Sequence, residues 1–196
     1  WVQRGGDIDG EAGADESGSS VALSNDGNTA IIGAPMNDGV NGVDSGHARI
    51  YSWDGSDWVQ RGGDIDGEAA NDQSGSLAVS LSADGNKAIV GAKLNDGANG
   101  ADSGHARIYS WDGSSWVQQG VDIDGEAAGD NSGYSVALSA DGATVIVGAN
   151  FNNGVNGPGS GHARVYNWNG SNWVQQGSDI DGEAAGDFSG VSVALS

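Results

Sequence analysis

The stretch SGSSVALSNDGNTAIIGAP, residues 17–35, decides how this chain folds. In it Val21 and Leu23 alternate with Ser20, Ala22 and Ser24, the two-residue period of a strand with one covered face. Asn25-Asp26-Gly27-Asn28 then reverses the chain, with Gly27 supplying the positive φ of a tight hairpin. The returning TAIIGA, residues 29–34, is apolar at successive positions, which suits a strand covered on both faces. A half-covered strand beside a fully covered one predicts a hairpin built into a stack of sheets.

Outward from this hairpin the chain repeats. Aligned on Trp-Val-Gln, the copies begin at Trp1, Trp58, Trp116 and Trp173, spacings of 57, 58 and 57 residues. The extra residue of the second copy falls between its Ser-Gly and Asp-Gly landmarks, and a one-residue slip would turn Val79 and Leu81 to the wrong face. A β-bulge near Ser76 and Leu77 is therefore expected. Each unit adds HARIYSW-type and WVQRGGDI-type strands, residues 47–53 and 58–65 in the first, with a polar loop before one and a turn before the other. Four antiparallel strands per unit, repeated with no helical period, predict an all-β chain of β-propeller blades. The expected division is an outer strand of a preceding blade with its junction loop at 1–18, blades at 19–75, 76–133 and 134–190, and the next blade's inner strand at 191–196. Three blades fall short of the roughly four to eight that close a ring, so the chain is expected to be a fragment of a larger propeller, with further blades from the same parent or another molecule.

The pairs SGSSVALS with IIGAP, SGSLAVSLS with IVGAK, and SGYSVALS with IVGAN resemble the FG-GAP repeats of integrin-α-like β-propellers, including those of long extracellular proteins of bacteria and algae. The likeness runs through essentially the whole chain. Only the first unit keeps Gly33-Ala34-Pro35, and serine stands in place of the family's phenylalanine before Gly18, Gly75, Gly133 and Gly190. The resemblance implies a seven-bladed ring and a role in adhesion or recognition outside the cell. It also implies calcium in an acidic loop between the first two strands. Here that loop has shrunk to hairpins with the single carboxylates Asp26, Asp84 and Asp141, too few for the six to eight oxygens that calcium takes.

The formal charge is -20, from 27 acidic and 7 basic residues, which opposes binding to nucleic acid or to anionic membrane surfaces. No apolar run reaches the roughly 18 residues of a membrane span, and cysteine is absent, which removes disulfides and thiolate metal sites. Abundant acid with little lysine suits a salt-screened, extracellular or cell-surface setting.

A second candidate calcium loop recurs at the blade junctions. Its carboxylates are Asp7, Asp9, Glu11 and Asp15, then Asp64, Asp66, Glu68 and Asp72, then Asp122, Asp124, Glu126 and Asp130, then Asp179, Asp181, Glu183 and Asp187. Relative positions 1, 3, 5 and 9 match ligand positions of an EF-hand loop, but that loop's glycine at 6 and glutamate at 12 are missing. The bland alternative is that these oxygens accept loop N–H groups or face water. The pairs Trp53 with Trp58, Trp111 with Trp116, and Trp168 with Trp173 flank hairpin turns. They could stack on sugar rings, though cross-strand packing explains them as well. His47, His105 and His162 share a strand face with Arg49, Arg107 and Arg164; a metal or acid–base site there would need local carboxylates to complete it, and the expectation is that they pair with neighbouring Asp side chains or loop carbonyls and tie blade to blade. Asn169 heads a glycosylation sequon in a surface turn.

Nearly every polar side chain occurs once per unit, so no singular nucleophile-and-base set emerges and no enzyme is expected. The leading expectation is a non-catalytic extracellular structural or adhesive module, in a surface filament or appendage, that meets proteins or glycans at a cell surface. The alternatives are a lectin-like propeller that uses the tryptophans and a non-catalytic region of a secreted enzyme.

Overall fold

A computed structural model describes residues 2–196, so Trp1 and its place in the first Trp-Val-Gln lie outside the described residues. The described residues form fifteen strands in three sheets and no helix. The first sheet joins β1 (Ser20–Leu23), β2 (Thr29–Ala34), β3 (His47–Trp53) and β4 (Trp58–Gln60) in order, with β5 (Ile65–Asp66) also on β3. The second repeats it with β6 (Val79–Leu81), β7 (Lys87–Ala92), β8 (His105–Trp111), β9 (Trp116–Gln118) and β10 (Ile123–Asp124). The third has β11 (Ser132–Leu138), β12 (Thr144–Ala149), β13 (His162–Trp168), β14 (Trp173–Gln175) and β15 (Ile180–Asp181). All pairings within the sheets are antiparallel. The third sheet begins at Ser132, two residues before the boundary expected at 134.

The expected outer strand is broken. Gln60 pairs with Tyr51 and Ile65 with Ala48, so four residues, Arg61 to Asp64, bulge opposite two. The bulge aims Arg61 at the next unit's hairpin, where its guanidinium donates to the Gly85 carbonyl and Asn86 Oδ1 at 2.7 and 2.6 Å. The same four-against-two break recurs at residues 119–122 and 176–179, where glutamine stands in place of Arg61, so it is a bulge of the repeat itself.

The extra residue of the second unit sits where the spacing puts it. Gly75 N donates to Gly91 O and Gly91 N to Ala78 O, so Ser76 and Leu77 span the gap that Ser19 alone spans in the first unit. Val79 and Leu81 are thereby kept on the buried face. They pack with Ala88, Val90 and Tyr109 against Ile31, Ala48, Ile50 and Ile65 of the first sheet. The second and third sheets meet the same way, with Ile89, Ala106 and Ile108 against Val136, Leu138, Val145 and Val147. The core is therefore between sheets. Each valine or leucine buried there contributes about 1.5–3 kcal/mol. Val21 and Leu23 hold the same strand positions in the first sheet, yet are 66% and 62% exposed, because no described sheet covers that face.

One contact explains the glycine of the Gly-Ala pairs. Gly33, Gly91 and Gly148 lie in ordinary strand conformation, but a Cβ on them would stand 2.1–2.2 Å from the carbonyl oxygens of Gly75, Gly133 and Gly190 of the following units. The backbones of successive units touch there, and only glycine leaves room.

Candidate functional site

The site is built at the blade junctions. Leaving β5, the chain runs beside the first unit's long loop, with Gly67 N on Gly46 O, Gln73 N on Asp44 O and Ser74 N on Ser45 O. Asp72, buried at the end of this crossing, accepts from Glu68 N, Ala69 N and Asn95 Nδ2 at 3.1, 2.9 and 3.0 Å. Asn95 belongs to the next unit, so the carboxylate both folds its own loop and latches the neighbour. Asp15 with Asn37 and Asp130 with Asn152 repeat the latch at 3.1 and 2.9 Å. Asp187 makes the local half, accepting from Ala184 N. The sequence reading missed the asparagines; their recurrence at the head of each long loop was the signal that could have found them.

Glutamate and the first aspartate of each loop go elsewhere. Glu11, Glu68 and Glu126 reach forward to the next unit's histidine and arginine, while Asp64, Asp122 and Asp179 approach the same pair from behind. Three clusters result: Glu11, His47 and Asp64; Glu68, His105 and Asp122; Glu126, His162 and Asp179. The four carboxylates of a single junction loop do not form a cluster among the described residues. Asp66 and Asp124 pair in strands with His47 and His105 instead, and burial raises both carboxyls. Asp7 accepts from Gln3 Nε2, while Asp9 and Glu183 are exposed.

Arginine holds the clusters in shape, as expected of its planar fork. Arg49 grips Asp64 with Nε and Nη2 at 3.1 and 3.2 Å and also contacts Glu11. Arg164 does the same to Asp179, at 3.0 Å twice, and contacts Glu126. Arg107 departs: it bonds the Asp66 carbonyl at 2.8 Å and lies 3.4 Å from Glu68. Burial, then the arginine charge, pushes His105 down to about 4 and lowers His162, so both imidazoles are neutral at pH 7.

The tryptophans are occupied within the protein. Trp53 and Trp58 meet edge to face at 5.6 Å, and the other two pairs are tilted at 5.3 Å. The Nε1 atoms of Trp58, Trp116 and Trp173 donate to the carbonyls of Arg4, Arg61 and Gln119 in the preceding unit, and Arg4 and Arg61 stack on Trp53 and Trp111 at 4.3 and 4.7 Å. Asn169 is exposed in its turn, and its Oδ1 accepts from Ser171 N and Asn172 N.

Between the first junction loop and the long loop of the unit that follows it lies a cleft of about 420 Å³, bordered by Glu11, Asp15, Met36, Asp38 and Val43. The long loops themselves are pinned. Gly46 N donates to Asn37 O, Asp44 N to Asp38 Oδ1, and Asn41 Nδ2 to Gly67 O at 2.7 Å. Their tips nonetheless expose apolar side chains, with Val40 88% and Val155 89% accessible.

A family model described as the FG-GAP repeat matches residues 7–51, from the junction loop through β3. Residues 7–51 are an FG-GAP repeat. The later units repeat its strands, loops and junction contacts, and together the units have the fold of β-propeller blades. No curated protein matches the chain. Among solved structures, it is similar to a protein of Bacteroides uniformis provisionally named 6-phosphogluconolactonase, at 14% identity and a TM-score of 0.55. That match covers 85% of this chain but 41% of the other, so the chain spans less than half of that structure. A periplasmic gluconolactonase of Pseudomonas aeruginosa is also similar, at 13% identity and a TM-score of 0.38, with 82% of this chain and 56% of that one covered.

The Bacteroides uniformis structure corrects the expectation that the protein is not an enzyme. That expectation rested on the sameness of the units, yet a protein named for a catalytic activity shares the fold. Repetition along the chain is thus no ground for excluding chemistry, because blades that repeat in sequence converge in space and can combine different edges into one site.

Proposed function

We propose that this FG-GAP repeat chain is an extracellular interaction module, a structural or adhesive segment that offers loops 37–46, 95–104 and 152–161 to a protein partner at a cell surface. The observation that carries the reading is the contrast within these loops: a hydrogen-bonded base with an apolar tip turned to water at Val40 and Val155. A loop already held in one conformation loses little entropy on binding, and an exposed apolar side chain on a rigid base gains by desolvation. The cleft beside Val43 adds a concave edge to the same surface. The acidic, lysine-poor composition supports a setting where salt screens self-repulsion.

Beads coated with the protein should adhere to cells of the source organism. Beads coated with the Val40→Asp, Val155→Asp double variant should wash off at the same coating density. Equal retention of both would refute the assignment to these loops.

A further inference from the structure

We propose that each Glu–His–Asp cluster binds one divalent first-row transition metal ion, with zinc as the reference ion, and that the cluster of Glu68, His105 and Asp122 binds it most tightly.

The geometry at the histidines points to a ligand. The three side chains are 4%, 1% and 3% exposed, and Nδ1 of His47 and of His162 is buried without a hydrogen-bond partner. In His105 the buried atom without a partner is Nε2, while in all three histidines Nδ1 faces the carboxylates. His47 Nδ1 is 3.7 Å from Asp64 Oδ2 and 4.0 Å from Glu11 Oε2; His105 Nδ1 is 3.6 Å from Asp122 Oδ2 and 3.8 Å from Glu68 Oε2; His162 Nδ1 is 3.6 Å from Asp179 Oδ2. These separations are too long for a hydrogen bond. They are close to the roughly 3.4 Å that two donors keep when each lies about 2.1 Å from one tetrahedral ion.

The neighbours act as an outer shell. Arginine takes both oxygens of Asp64 and of Asp179, glutamine shares Oδ1 of each, and asparagine amides approach the glutamates at 3.2–3.4 Å. Such contacts fix the direction of a ligating carboxylate without replacing it. In the second unit Arg107 leaves Asp122 altogether, and only Gln118 holds that carboxylate, so its Oδ2 is the most available of the three. Two carboxylates against one arginine leave a net negative site around the imidazole, and a dication reverses that imbalance. One nitrogen and two oxygens, with positions left for water, select a borderline transition metal over calcium, which takes oxygen ligands.

Calorimetric titration of the whole chain with zinc chloride should show up to three equivalents, the tightest lost in His105→Gln, and calcium chloride should give no matching heat. X-ray absorption of the parent protein loaded with one zinc should show imidazole scattering near 2.0–2.1 Å, a reading independent of whether any variant folds. Zinc bound without imidazole scattering, or undiminished binding in a folded His105→Gln variant, would overturn the proposal by placing the ion on surface carboxylates.

Discussion

Gly91→Ala isolates the contact that sets the spacing between units. In the folded chain the new methyl carbon would stand 2.2 Å from Gly133 O and 3.0 Å from Gly133 C, with Ala78 Cβ at 2.8 Å on the other side. An unstrained carbon-to-oxygen contact needs a little over 3 Å, so the two backbones must part by about 1 Å. Gly133 cannot yield alone, because a Cβ built on it would already meet His105 O at 2.1 Å. Overpacking of this kind costs about 1–3 kcal/mol. The upper part of that range applies because backbone opposes backbone, and the sheet interface of Ile89, Ile108, Val136 and Val147 opens with it. At about 2–4 °C per kcal/mol for a chain of this size, the melting temperature should fall by roughly 6–10 °C. Gly63→Ala is the matched control, since nothing lies within 4 Å of its Cβ position. Thermal melts of the three proteins by circular dichroism decide it. A Gly91→Ala protein within 1 °C of Gly63→Ala would refute the close approach.

Two further outcomes follow from the same contacts. Trp116→Phe removes the 2.7 Å bond to Arg61 O and part of the packing under Arg61, and should cost about 1–2 kcal/mol in urea unfolding; no loss would mean that the indole does not bind unit to unit. Asp26 is held down to about 2 by the Ser24 hydroxyl, then by Asn28. Since its folded value lies below the unfolded one, its stabilisation is complete above about pH 4 and disappears as the pH falls through 2. Asp26→Asn should therefore be less stable than the parent at pH 6 and equal to it near pH 2, and a gap of equal size at both would contradict the hairpin account.

What the sequence made legible was what is local or periodic. The 57-residue spacing, the alternation of Val79 and Leu81, and the doubly apolar TAIIGA set the sheets and even the place of the bulge at Ser76 and Leu77. The outer strand was misread as continuous because its four-residue bulge, at 61–64, 119–122 and 176–179, leaves the apolar and polar order of WVQ and DI unchanged on either side. The clusters stayed hidden as well. Read along the chain, Asp64, Asp66, Glu68 and Asp72 look like one acidic loop; in space Asp64 turns back to Arg49, Glu68 forward to His105, and Asp72 to Asn95. The asparagine latch depends on partners 22 or 23 residues apart, beyond any strand period.

Asp15, Asp72 and Asp130 each latch the next unit, and the coupling between Asp72 and Asn95 measures that latch most directly. Both side chains are buried and meet at 3.0 Å, and hydrogen bonds to charged groups contribute about 1.5–3 kcal/mol. A double-mutant cycle of Asp72→Ala and Asn95→Ala, read by equilibrium unfolding, should give a coupling energy of at least about 1.5 kcal/mol. Additive losses, with coupling near zero, would contradict the account.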